Sequence, residues 1–497
     1  MNKIIIRFGL FYIFTIAFSY VLLGKGYFDF HTKAQDIYKD IFELRLDEAR
    51  PAILNLKRTE PNNLIVYHLE NYVDFFTIYV SEDYETYKRL SPNRDKRLAK
   101  VELGNPKSPY CLFIQAEIRL HWALLRLRFE EYIPAFRDIN KAHKLLLKNQ
   151  ELFPSFLANK KDLGILHAAV GTVPDNFRWA LELLTSMEGT IEQGKKEIEY
   201  VIRQSEQQYF PYILETKVLH TFLLLHLDGR PEAAWSALKN THLDATKTPL
   251  HAFILANVAM QTGRNDQAIE WIQDAPSNGF MPFPYLDYML GVAKLRRLDT
   301  GGKQNLLQFI ATTKGKSFVK EAYQKLAWAA LLDNNIQNYK ANMQRVLNNG
   351  ITSTGGDQNA EKEAKDGIIP NIHLLKARLL FDGGYYFRAN RFLSGFSEYN
   401  FPFYIHKIEF NYRMGRILDG LNKDDEAILQ YNKTIAIGRT HEAFYACNAA
   451  LRAGLIEEKR GDIAAAKSFF NLCLELNPTD YKTGLHMQAK AGLVRLK

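Results

Sequence analysis

A spacing of small residues that recurs along this chain restricts its fold more than any other feature. From His441 to Lys482 the sequence reads as two helices: the first runs to about Lys459, Gly461-Asp462 makes the turn, and the second ends at Asn477-Pro478. Gly454 lies in the first helix; Ala466 follows twelve residues on, Phe470 four later, Cys473 three later and Pro478 five later. Small residues there let two helix backbones approach with Phe470 as the wedge, and proline cannot continue a helix. Gly415, Ala427, Tyr431 and Thr434 keep the same spacing, with Arg439 where the proline is expected. So do Ala377, Ala389, Leu393 and Phe396; Ala256, Ala268, Ile272 and Ala275; and Ala123, Ala135, Ile139 and Ala142. Ala389, Ala427 and Ala466 stand 38 and 39 residues apart.

The order glycine, alanine, aromatic, small residue, proline is the signature of the tetratricopeptide repeat, and Ile408 to Lys482 resembles that superfamily most clearly. Weaker copies extend the resemblance back to about Pro249, and the earlier helices fit by pattern. The fold class expected is therefore all-α: a TPR-like α-solenoid, a superhelix of antiparallel helix pairs, after an N-terminal apolar segment. One helix pair cannot bury its apolar face alone, so neighbours stack into a continuous core. The resemblance implies that the first helix of each unit lines a concave face where a partner segment lies. Counted from each unit's Gly or Ala position, Asn371, Arg378, Tyr412, Arg416 and Asn448 point to that groove, and Leu374, Leu451 and Leu455 fall on the same face. Asn and Arg suit a partner's backbone or carboxylate, since Arg offers a two-pronged fork. Through runs such as LHAAVGTVPDNFRWALELL and LLFDGGYYFRA, the whole chain is also similar to envelope-associated TPR proteins of Bacteroidetes-type bacteria.

The expected organisation along the chain has five parts. Residues 1–26 form a signal peptide or membrane anchor; 27–248 hold degenerate N-terminal helical repeats; 249–349 hold TPR-like repeats. Residues 350–370 are a polar loop with a short helix inside, and 371–497 are the C-terminal repeats. The apolar run Phe8 to Gly24 comes after a basic start and carries no charge. Its length lies between a signal-peptide core and a minimal membrane span. No cysteine is near it, which excludes a lipoprotein anchor, so the expected location is the periplasm or cell envelope, exported and either released or anchored. Between Lys88 and Lys107, Lys88, Arg89, Arg94, Lys96, Arg97, Lys100 and Lys107 face only Asp95 and Glu102. That run reads as a solvated helix-loop edge, the alternative being contact with anionic lipid or another acidic surface.

Net charge is +9 over 497 residues, a mild excess that does not call for nucleic acid. Cys111, Cys447 and Cys473 are too few and scattered for a disulfide framework, and Cys473 reads as a buried thiol. Two stretches imitate a phosphate-binding loop. Gly189 to Lys196 has lysine where magnesium needs Ser or Thr and no strand before it; Gly315-Lys316-Ser317 has Ile310 where the first glycine belongs. His441-Glu442 opens like a zinc-protease helix, but Tyr445 replaces the second histidine. No catalytic residue, cofactor or metal ligand is expected.

The function expected is a non-enzymatic scaffold for protein partners. The alternatives are a SusD-like glycan- or nutrient-binding helical protein and a helical glycosidase or lytic transglycosylase, which would need a carboxylate constellation in a cleft. If the register is right, Ala466→Leu overpacks the helix junction and costs roughly 1–3 kcal/mol. A thermal melt checks this, and an unchanged midpoint would displace the register.

Overall fold

The computed structural model describes residues 26–170 and 187–496. The N-terminal apolar segment up to residue 25, and the helix and proline-marked turn expected across 171–186, lie outside the described residues. Every regular element among the described residues is helical, apart from two isolated bridges, Gly26 with Gly104 and Tyr27 with Asn63. No described helix is long and apolar enough to cross a membrane. The chain divides into two compact units: one runs to Ile254 and includes Asp274–Phe283, the other holds Leu255–Gln273 and everything from Pro284 on.

The first unit contains α1 (Thr32–Phe42), α2 (Leu46–Thr59), α3 (Ile65–Ser81), α4 (Tyr84–Leu90), α5 (Pro92–Val101), α6 (Pro109–Arg128), α7 (Tyr132–Leu152), α8 (Leu157–Val170), α9 (Ile191–Ser205), α10 (Ile213–Phe222) and α11 (Pro231–Lys239). Antiparallel pairing is set by the small residues. Ala123 and Ala135 are buried where α6 meets α7. Gly164 on α8 meets Gly194 on α9 so closely that a Cβ on Gly194 would lie 2.1 Å from the Gly164 carbonyl oxygen. That second glycine of the phosphate-loop imitation therefore serves helix packing, and Thr190 beside it caps α9 by accepting from the Gln193 amide.

The core of this unit is not wholly apolar. Lys161 on α8 is fully buried, its Nζ 2.8 Å from Glu117 on α6, 2.6 Å from Glu215 on α10 and 3.1 Å from Asp162. Tyr38 on α1 and Tyr72 on α3 donate to Glu215 at 2.6 and 3.1 Å, and His68 on α3 lies 3.4 Å from Glu117. A buried charge is tolerable only when paired and hydrogen-bonded. This knot pairs the buried lysine with three carboxylates and draws groups from α1, α3, α6, α8 and α10 together, and so fixes how those helices sit. Among the described residues, Glu117 Oε2, Asp162 Oδ2 and His68 Nδ1 are left without a hydrogen-bond partner. Burial alone would push the Lys161 ammonium down, but Asp162, Glu117 and Glu215 hold it well above its ordinary value. Burial pushes Asp162 up, while Glu117, despite burial, is held at about 2, chiefly by Lys161.

The second unit contains the larger part of α12 (Pro249–Gln261), then α13 (Asn265–Gln273), α14 (Tyr285–Arg296), α15 (Gly302–Thr312), α16 (Val319–Leu332), α17 (Ile336–Asn348), α18 (Gly355–Asp366), α19 (Ile372–Asp382), α20 (Tyr386–Leu393), α21 (Tyr404–Gly420), α22 (Asp424–Gly438), α23 (Tyr445–Arg460), α24 (Ile463–Glu475) and α25 (Lys482–Arg495). From α19 on they form two layers, α19, α21, α23 and α25 on one side and α20, α22 and α24 on the other. The repeat positions lie at the junctions. A Cβ on Gly415 would meet the Tyr431 ring at 2.6 Å, and one on Gly454 would meet the Phe470 ring at 2.7 Å. Ala427, Ala466, Phe470 and Cys473 are wholly buried. Leu374 and Leu451 also belong to this core rather than to the open face assigned by counting, because their side chains turn between the two layers.

Two contacts depart from simple nearest-neighbour stacking. The α12–α13 turn meets the α19–α20 turn: Gly384, at φ +78°, has its Cα side against Gly263, where any Cβ would lie 2.0 Å from the Gly263 carbonyl oxygen. Tyr385 donates to Asp266 at 2.6 Å and accepts from Asn265 at 3.0 Å. The second departure is α18, which occupies most of the polar stretch 350–370. Its Asp357 accepts from the Phe318 and Glu321 amides and so caps α16; its Glu363 accepts from Gln324 and Trp328 on α16.

Burial pushes His68 down to about 4, against the pull of Glu117, and depresses His121, His143, His220 and His251 as well. A histidine whose folded value lies below its unfolded value of about 6.5 takes up protons preferentially when unfolded. Its contribution is complete above the unfolded value and is lost as pH falls towards the folded one. His68 alone should cost the first unit about 2 kcal/mol between pH 7 and pH 5. Urea melts at the two values check this; in His68→Gln that increment should disappear.

Candidate functional site

Three arginines converge on the open side of the second unit because each lies on the first helix of a pair: Arg378 on α19, Arg413 and Arg416 on α21. With Tyr412, Phe444, Tyr445, Asn448 and Tyr481 they line a concave pocket of about 480 Å³. Helix periodicity explains the set. Tyr412 and Arg416 are one turn apart on α21, and Asn448 faces them from α23. Tyr412 is the hub: its hydroxyl oxygen accepts from Arg416 Nη1 at 3.0 Å and from Asn448 Nδ2 at 2.9 Å.

The cations differ in how far they are neutralised. Arg413 is paired with Glu409 on its own helix, Nε donating at 2.8 Å. Arg378 reaches Asp382 at 3.7 Å and lies over the Trp328 ring, 4.7 Å from its centroid. Among the described residues Arg416 has no carboxylate at ion-pair distance; its guanidinium lies 4.6 Å from the Phe381 centroid, and its buried Nε has no hydrogen-bond partner there. Burial and the neighbouring Arg416 lower Arg452, the next cation on α23. The lining thus has three arginines against one aspartate, Asp382. Its aromatic wall is continuous: Phe444 packs on Tyr445 at 4.5 Å and edge-on to Tyr481 at 4.9 Å. A cationic floor beside aromatic faces suits an anionic group carried on an apolar or aromatic segment.

Four of the five residues picked from the sequence, Arg378, Tyr412, Arg416 and Asn448, are brought together here. Asn371 is not among the lining residues. It is the N-cap of α19, its Oδ1 accepting from the His373 and Leu374 amides. The preference of Asn for that position is the signal that distinguishes it. Sequence reading missed Tyr481, Phe444 and Tyr445, which flank the turn into each first helix. It also missed Trp328, and the hold of α18 on Tyr481, whose hydroxyl donates to Asn359 at 2.8 Å. Lys362 of α18 lies 3.5 Å from Asp480.

In the basic run of the first unit Lys88, Arg89, Lys96, Lys100 and Lys107 are exposed, as a solvated edge requires, and only Arg94 and Arg97 turn inward. Arg94 pairs with Asp95 and Asp138, and Arg97 is buried against Asp74 at 2.8 Å and Glu70 at 3.4 Å. Lys96 and Lys100 remain at the edge of a concavity of about 550 Å³ with Arg50 and Lys57. Among the described residues no cluster of three or more His, Cys, Asp or Glu could hold a metal ion.

Residues 448–480, which span most of α23 and α24, match the family model "Tetratricopeptide repeat". This part of the chain is similar to a tetratricopeptide repeat. Its Gly454, Ala466 and Phe470 are the junction described above, and its Asn448 is the residue that reaches Tyr412. No curated protein matches the chain. Among solved structures, the human IFIT1 dimer with PPP-AAAA is 13% identical, with 89% of each chain covered and a TM-score of 0.35. The structure of Naa15/Naa10 bound to HypK-THB is 11% identical, covering 94% of this chain and 66% of that one, with a TM-score of 0.25.

Tyr412→Phe removes the acceptor shared by Arg416 and Asn448, and should destabilise the α21–α23 contact by about 1 kcal/mol. A thermal melt reads this out; no change would mean that both donors are satisfied by water instead.

Proposed function

We propose that this chain is a protein-interaction scaffold that holds a partner segment against the faces of α19, α21, α23 and α25. The observation that carries the reading is the pocket of about 480 Å³, where arginines from successive first helices meet a wall of Phe444, Tyr445 and Tyr481. The similarity to a tetratricopeptide repeat at 448–480 supports it, because stacked helix pairs present an extended concave surface rather than an enclosed catalytic cleft. The partner's contribution is a carboxylate or similar anion for Arg378 and Arg416, with an apolar or aromatic side chain beside it.

The same proposal sets this work in the cell envelope, with the chain exported and either released or anchored through its N-terminal apolar run. That run, and the resemblance to envelope-associated proteins, support it. The aromatic wall also favours a second reading, in which sugar rings stack on Phe444, Tyr445 and Tyr481 and the protein binds glycan.

Affinity capture of the tagged full chain from gently solubilised envelopes, with mass spectrometry of everything retained, separates the two. A stoichiometric protein partner is expected, lost when Arg378 and Arg416 are both replaced by glutamate. Arg378→Glu alone, at a half-exposed position, should weaken capture at least tenfold while leaving the melting temperature unchanged. Undiminished capture by both variants would overturn the groove, and retained glycan without protein would favour the second reading.

A further inference from the structure

The two cysteines of the C-terminal repeat, 26 residues apart in sequence, are neighbours in space. Cys447 on α23 and Cys473 on α24 are both free and buried, with their sulfurs 3.5 Å apart. Cys447, itself buried, also lines a concavity of about 420 Å³ with His441, Glu442, Ala443, Asn477 and Pro478, so it is the member of the pair beside an opening. Cys473 lies deeper, at the helix junction, 3.9 Å from the Leu485 carbonyl oxygen. We propose that Cys447 and Cys473 are a reversible redox site, which a small hydroperoxide entering the pocket converts to an intramolecular disulfide.

The arrangement gives the two thiols different roles. The hydrogen bond between the two sulfurs holds the Cys447 thiol below its ordinary value against the upward push of burial and raises Cys473. Cys447 Sγ also lies 3.4 Å from the Cys473 carbonyl oxygen, to which it donates. Cys447 borders the pocket and Cys473 lies behind it, so Cys447 is the attacking thiol and Cys473 the resolving one. In the first step the Cys447 sulfur takes one peroxide oxygen. The O–O bond breaks, the other oxygen leaves as hydroxide (alkoxide from an organic peroxide) and is protonated, and the sulfur, losing two electrons, becomes a sulfenic acid. In the second step the Cys473 sulfur attacks the Cys447 sulfur. The S–S bond forms, the S–O bond breaks, and the departing hydroxide takes the Cys473 proton to leave as water. An external dithiol reverses the product by exchange.

A bond of about 2.05 Å requires the sulfurs to close most of their present separation. Both sit on neighbouring helices of one pair, so side-chain rotation and a small shift of α23 towards α24 are enough. The product covalently ties the two helices of the repeat, next to Asn448. Cys111, in the other unit, is buried against the Val101 carbonyl and Gln115 with no cysteine beside it among the described residues, and serves as the internal reference.

The test uses the full reduced chain, a stoichiometric amount of hydrogen peroxide, alkylation under denaturing conditions and peptide mass mapping. The expected result is loss of two hydrogens per chain and one cross-linked peptide pair joining Cys447 to Cys473. Cys111 remains alkylated, and dithiothreitol restores all three thiols. In Cys473→Ala a sulfenic acid on Cys447 should be trapped by a dimedone probe. The proposal is overturned if Cys447 and Cys473 are alkylated as fully as Cys111 after peroxide, or if wild-type Cys447 is overoxidised without the cross-link. The wild-type map decides even if the variant does not fold.

Discussion

The close approach of antiparallel helices at positions with little or no side chain is the contact on which the second unit depends. Where Gly415 faces Tyr431 and Gly454 faces Phe470, a methyl group would intrude into the ring. Each junction buries a whole aromatic side chain, and such rings dominate core energetics. Phe470 touches both Gly454 on α23 and Gly492 on α25, so one ring binds a helix pair internally and also joins that pair to the next helix. Stacking is thus carried by the same residues that make the pair, and the candidate site on the open face adds its own ties, from Tyr412 to Arg416 and Asn448 and from Tyr481 to Asn359.

The first unit solves the same problem with different chemistry. Its helices also pair at small residues, as at Gly164 and Gly194, but their mutual arrangement is fixed by a fully buried lysine and its carboxylates. Such a knot adds little net stability over an apolar core of the same volume, but removing one partner leaves an uncompensated charge. It ties the unit to neutral pH, because His68 beside it must stay uncharged to remain buried.

Most of the candidate site was legible in the sequence because it obeys helical periodicity. Once Gly415 and Gly454 set the register, Tyr412, Arg416 and Asn448 are reached by counting, and the structure brings them to one pocket. Counting failed where one helix face grades into another. Leu374 and Leu451 count towards the groove but turn into the core, and Asn371 is drawn off by the orphan amides of the α19 N-terminus. The aromatic wall was not legible, because Phe444 and Tyr481 stand before their helices, where no periodicity applies.

The sequence by itself determined the helix pairs, their turns and the small-residue junctions, since all of these are set by contacts within about forty residues. Only the tertiary structure decided which distant groups meet. Gly263 against Gly384, Asn359 against Tyr481 and Lys161 among Glu117 and Glu215 are joined across stretches with no shared period. Those contacts depend on the accumulated rotation of one pair relative to the next, which small differences in packing at each junction add up to. The 3.5 Å approach of Cys447 and Cys473 is the local counterpart: both positions belong to one repeat, but only the packing of α23 on α24 turns their sulfurs towards each other.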